Sequence, residues 1–147
     1  MNAEMIFYAG LGIMILTTML GRTVKERGMK TLSHEQLGYV MSSFSKMRMT
    51  GMYILFGIVG LYLALGYFNK LNYFEEIGIN PTMGYFVLMM LYVLISQGLS
   101  ISKLQKMDLP SAYLRSVYIG AGLQLLGLGA LLIGMMNYLG IPSFSNP

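Results

Sequence analysis

Apolar residues come in four long runs along this chain, separated by short polar stretches, and the run lengths suit a bilayer. Residues 5–21 are apolar apart from Thr17 and Thr18, whose hydroxyls can return hydrogen bonds to helix carbonyls. Residues 50–68 contain neither proline nor charge, and residues 82–101 carry Ser96, Gln97 and Ser100 only towards their end. Residues 113–139 form a glycine-rich run that is longer than a span needs, which predicts tilt or a start in the interface. A bilayer core is crossed by about 20 helical residues, so the pattern predicts four transmembrane helices.

Residues 31–48, TLSHEQLGYVMSSFSKMR, lie between the first two runs. Ser33 is a good N-cap with Gln36 three residues on, and Leu32 and Leu37 take the staple positions around it. Leu37, Val40, Met41, Phe44 and Met47 then recur at helical spacing over an arc of about 120°, with Glu35, Ser42, Ser43 and Lys46 opposite. This predicts an amphipathic helix, half-immersed in the interface or packed on neighbouring helices and able to run straight into the second span. Residues 22–30, RTVKERGMK, read as a charged connector, and residues 69–81 as a loop ending in the turn signal Gly78-Ile79-Asn80-Pro81. Asp108 and Pro110 mark the start of a last helix, and residues 140–147 read as coil. The expected fold is all-α: one membrane domain over residues 1–147, a four-helix bundle with a cytoplasmic amphipathic helix between spans 1 and 2.

Composition supports the bilayer as solvent. The chain is 55% hydrophobic and 11% charged, whereas soluble domains carry roughly 25% charged residues. The net charge of +4 does not point to nucleic acid, because the basic residues are confined to loops. Arg22, Lys25, Arg27, Lys30, Lys46 and Arg48 fall in the first loop and Lys103, Lys106 and Arg115 flank the third; Lys70 alone lies on the other side. By the positive-inside rule the 22–48 and 103–115 loops are expected in the cytoplasm, with both termini and the Glu75/Glu76 loop outside. The expected location is the plasma membrane, which in a bacterium is the inner membrane. Phe7, Tyr8, Tyr67, Phe68, Tyr73, Phe74, Tyr85, Phe86 and Tyr138 would then form an outer aromatic belt. Glu4 stands where a secretory signal would carry Lys or Arg, so the first span is expected to be retained.

Candidate chemistry is sparse. With no cysteine, disulfides, thiolate metal sites and cysteine nucleophiles are excluded, and the single histidine, His34, rules out bis-histidine haem ligation within the chain. His34 is expected exposed at the first turn of a capped helix. Met47, Met49 and Met52 resemble a copper(I) thioether set, but 15 methionines are spread over the chain and no Cys or His stands near these. Glu75 and Glu76 are adjacent and would not face one another on a helix. No catalytic residue, metal or cofactor is expected. Apart from Arg115 in the first turn of the fourth run, no Asp, Glu, Lys or Arg falls inside a span, which argues against a proton pump, an ion-coupled antiporter or an intramembrane protease.

Three groups of residues remain. Gln97 lies six residues before Lys103 and Gln124 nine after Arg115, so their depths differ by about 5 Å on antiparallel helices. They read as interhelical glue or, with Ser96, as the lining of a solute path. Ala112, Ser116 and Gly120 repeat every four residues with Gln124 continuing the row, and Gly60 with Ala64 and Ala130 with Gly134 are similar small-residue pairs that predict close helix packing. Arg48 falls on the apolar arc of the amphipathic helix over residues 31–48, where it snorkels or pairs with a lipid phosphate or a partner's carboxylate. With Lys46, Arg22 and Lys25 it makes a candidate anionic-lipid surface. Arg48 and Arg115 occupy matching places before the second and fourth spans, a faint sign of a duplicated helix hairpin.

Length and four-span layout are similar to those of the small membrane-bound glutathione-binding proteins of eicosanoid metabolism. Those proteins present Arg, Asn and Glu along the second helix, whereas here Arg48 is followed by an uncharged span without Asn. The resemblance therefore does not carry their activity. The leading expectation is a non-catalytic structural or accessory subunit of a larger membrane complex, with membrane lipids and other membrane subunits, or a second copy, as partners. A homo-oligomeric channel or small-solute transporter is the alternative, and a lipid- or glutathione-type enzyme the third reading.

Overall fold

The computed structural model describes residues 2–140; the expected coil beyond Gly140 lies outside the described residues. All regular structure among those residues is helical: α1 (Ala3–Met29), α2 (His34–Tyr67), α3 (Asn72–Glu76), α4 (Pro81–Gln105) and α5 (Ser111–Tyr138). α1, α2, α4 and α5 are long and apolar enough to cross a membrane. The all-α architecture with four membrane-length helices is as expected.

The boundaries differ from the expectation in two places, each for a local reason. Residues 22–30 are not a connector, because α1 continues through them to Met29. Arg, Lys and Glu are good helix formers, and Arg22 pairs with Glu26 one turn on, Nε to Oε1 at 2.8 Å. Residues 69–81 are not wholly loop, since Asn72–Glu76 close one helical turn. The predicted turn signal instead starts α4. Asn80 Oδ1 accepts the backbone N–H groups of Thr82 at 3.0 Å and Met83 at 3.2 Å, an N-cap with proline at the first helical position. Gly78 supplies the positive φ, +81°, that the approach to this cap requires.

The amphipathic segment and the second span form one unbroken helix. α2 starts directly after Ser33 and runs for 34 residues, about 51 Å at 1.5 Å per residue. That exceeds a hydrocarbon core of about 30 Å, so the polar-faced turns extend beyond it. Threonines inside α1 are satisfied locally: Thr17 donates to the Ile13 carbonyl at 2.8 Å and Thr18 to Met14 at 2.7 Å.

The described chain divides into two compact units, residues 2–33 with 97–140 and His34–Ser96. In the first, α1 and α5 lie antiparallel and in close contact. Gly10 faces the Ala130 backbone, Gly21 faces Gly120, Gly28 faces Ser116 and Tyr113, and Phe7 faces Gly134. In lipid, apolar area alone does not drive helices together, and missing side chains let backbones approach. Gly10, Thr17, Gly21 and Gly28 of α1 and Ser116, Gly120, Gly127 and Gly134 of α5 are accordingly buried. Phe7 and Tyr138 meet at one end of the pair, with ring centroids 5.3 Å apart.

In the second unit α2 and α4 touch through side chains. The Tyr92 hydroxyl donates to the Gly51 carbonyl at 2.9 Å, and the Tyr62 and Tyr85 rings meet at 4.6 Å between centroids, tilted by 36°. The first membrane helix therefore pairs with the last, and α2 with α4 between them in sequence.

Candidate functional site

The charged end of α1 is placed by the glycine stripe. Because Gly21 and Gly28 must face α5, Arg22, Lys25 and Glu26 fall along the edge of the seam. There they line a groove of about 430 Å³ with Thr18, Gly21 and Met29 of α1 and Gly120 and Gln124 of α5. Lys25 is partly buried. Its stem lies across Gly120, where an added Cβ would stand 2.7 Å from the lysine Cε and 2.9 Å from its Cγ. Glycine on α5 is thus what lets the lysine lie down into the seam instead of extending into solvent. Arg22 is exposed and held by Glu26. Lys25 has no ion-pair or hydrogen-bond partner among the described residues.

Gln97 and Gln124 are brought together. The Gln97 Nε2 donates to Gln124 Oε1 at 2.5 Å, and both side chains are partly buried. Gln124 also lines the groove. A second amide bond lies nearer the polar end, from Gln105 Nε2 to the Tyr118 hydroxyl. Chemically the site offers an ammonium without a counter-charge, a neutralised guanidinium and a carboxamide donor, set at the edge of apolar walls. It holds no nucleophile–base pair, and among the described residues no three His, Asp or Glu side chains gather as metal ligands.

The remaining residues singled out in the sequence are placed as follows. Ser116, Gly120 and Gly134 lie buried in the α1/α5 seam, and the Ala130 carbonyl oxygen comes within 2.6 Å of where a Cβ on Gly10 would be. Ala112 and Ala64 are exposed, and a Cβ added at Gly60 would meet nothing within 4 Å. Ser96 is partly buried. Lys46 and Arg48 belong to the second unit, where both are exposed, and Arg48 makes no ion pair among the described residues. His34 is exposed.

Sequence reasoning missed the α1 half of the seam and the resting place of Lys25. The available signal was the spacing Gly10, Thr17, Gly21 and Gly28, steps of seven, four and seven that return to one face of a helix. It also missed an apolar cleft in the second unit, about 310 Å³, lined by Leu61, Tyr62 and Leu65 of α2, Phe74 of α3 and Tyr85 and Leu88 of α4. Comparison of the chain with protein-family models, with curated proteins and with solved structures finds no match.

Proposed function

We propose that this multi-pass membrane protein is a non-catalytic structural or accessory subunit of a larger membrane complex. The observation that carries this reading is where the polar groups of the long helices are engaged. Gln97 bonds to Gln124, and Thr17, Thr18 and Thr50 bond to helix carbonyls. Such bonds set helix position and engage these polar groups within the helices. The outward faces supply contact surface: Leu16, Met19, Leu61, Leu63 and Leu126 are all about 60% or more exposed. In a bilayer, lipid tails or the helices of another subunit cover such faces.

The topology that goes with this reading has both basic loops in the cytoplasm and both termini outside, in the plasma membrane. It is supported by the antiparallel α1/α5 pair, which sets Gly28 beside Ser116 and Tyr113. Residues 22–30 and Arg115 therefore share one end of that unit, as a positive-inside arrangement requires.

A channel or transporter is the second reading, favoured by Gln124 and Lys25 opening onto one groove. The two separate when the protein is extracted in native membrane patches, its polypeptide composition is determined, and the purified chain is tested for solute flux in liposomes. An accessory subunit travels with a second polypeptide in fixed stoichiometry and gives no flux alone. A symmetric assembly of this chain only, with flux altered by Gln124→Leu, rejects the accessory reading in favour of the channel.

A further inference from the structure

We infer that the α1/α5 groove at Lys25 and Gln124 binds the phosphodiester headgroup of an anionic membrane lipid. The charge balance of the groove comes first. Glu26 is bound to Arg22 at 2.8 Å, so those two charges cancel and the ammonium of Lys25 is left in excess among the lining residues. Lys25 is not a freely solvated surface lysine. Its stem is laid across Gly120 in the helix seam, which confines the ammonium to the groove mouth and removes part of its water. A cation held this way, with the one carboxylate of the groove, Glu26, already paired to Arg22, favours an anion in contact.

The second point is the donor beneath it. Gln124 lies one turn further along α5 than Gly120, about 6 Å deeper. Its Oε1 accepts from Gln97 and the residue lines the groove, so the group it can offer a ligand there is the Nε2 donor. A cation above and an amide donor one turn below match a phosphate joined to a glycerol ester carbonyl. Beneath them the seam continues through Gly21 and Thr18 into the wholly apolar part of α1, where an acyl chain fits. The level is also appropriate, since basic residues cluster where the apolar run ends and headgroups lie. A volume of about 430 Å³ holds a headgroup and the start of a chain, where a lone partner carboxylate would leave most of it unfilled. The inference requires that α1 and α5 lie in a bilayer, and it stands or falls independently of the accessory-subunit reading.

The test uses the full chain in phosphatidylcholine bilayers and compares the association of spin-labelled phosphatidylglycerol with that of spin-labelled phosphatidylcholine. The wild type is expected to prefer the anionic lipid by about fivefold, the factor expected of one basic residue at a membrane surface. Lys25→Gln and Lys25→Met, the latter keeping a stem over Gly120, should bring that ratio close to one at unchanged helix content. Lys25→Arg should restore it, and Lys106→Gln, at an exposed lysine, should leave it intact. Equal losses from Lys25→Gln and Lys106→Gln, or none from either, would assign the preference to general surface charge and overturn the site. Full displacement of the labelled lipid by soluble glycerol phosphate would assign it to a free phosphate ester instead. Absence of any preference, with carbodiimide coupling of Lys25 to a carboxylate of another polypeptide in native membranes, would give the groove to a protein partner and overturn the lipid assignment.

Discussion

At Gly10 an added Cβ would stand 2.6 Å from the Ala130 carbonyl oxygen, while at Gly122 it would meet nothing within 4 Å. The two glycines therefore have opposite expected responses to the same change. Gly10→Ala should push α1 and α5 apart and cost about 1–3 kcal/mol, because the clashing atom is backbone and cannot rotate away. Gly122→Ala should be neutral or stabilise by up to about 1 kcal/mol through helix propensity. Equilibrium unfolding of each variant in mixed micelles, titrated with SDS, reads both, and equal effects would mean that the seam does not depend on the Gly10 approach. What the sequence reveals at this scale depends on the kind of residue. The depths of Gln97 and Gln124 can be counted from neighbouring basic residues, and long amides at similar depth in lipid need partners. A glycine gives no such bearing. The pair Gly60 and Ala64 has the same spacing as Ser116 and Gly120, yet Gly60 has open space around it and Gly120 lies under Lys25 and against Gly21. Spacing names a face of a helix, and only the neighbouring backbone determines whether that face is covered.

Among the elements, α4 starts most sharply. Asn80 caps two backbone donors, Pro81 follows, and Gly78 turns the chain into the cap. Asn80→Ala should cost about 1 kcal/mol and speed hydrogen exchange at the amides of Thr82 and Met83, with little change deeper in α4; unchanged exchange at those two amides would contradict the cap. This start was legible because Asn-Pro after Gly has a definite physical meaning in sequence. The charged end of α1 was not, because a loop and a solvated helix can share the composition RTVKERGMK. Its helical state comes from the Arg22–Glu26 pair and from Gly28 packing on Ser116, which are a local pairing and a tertiary contact. The single turn of α3 was equally hidden: five residues are too few for a period to repeat.

Over the whole molecule, the nested pairing of α1 with α5 and α2 with α4 gives the charge pattern its structural basis. The sequence assigns its basic residues to one side by counting, and the antiparallel seam brings the two segments that carry many of them, residues 22–30 and the start of α5, to one end of a unit. That α1 pairs with α5 was beyond reach of the sequence, since four similarly apolar spans offer little to choose between partners, and the choice rests on matched glycines on the two helices. The account stands on these helices crossing a bilayer with both basic segments on one face. The chain has no cysteine, so single-cysteine variants report position without background. Asn2→Cys, Lys30→Cys, Glu75→Cys and Lys106→Cys all replace exposed residues and can be challenged with a membrane-impermeant maleimide before and after permeabilisation. The account predicts that Asn2→Cys and Glu75→Cys label in intact cells, and that Lys30→Cys and Lys106→Cys label only once the membrane is opened. Labelling of Lys30→Cys and Lys106→Cys from opposite sides, or of all four from one side, would contradict it.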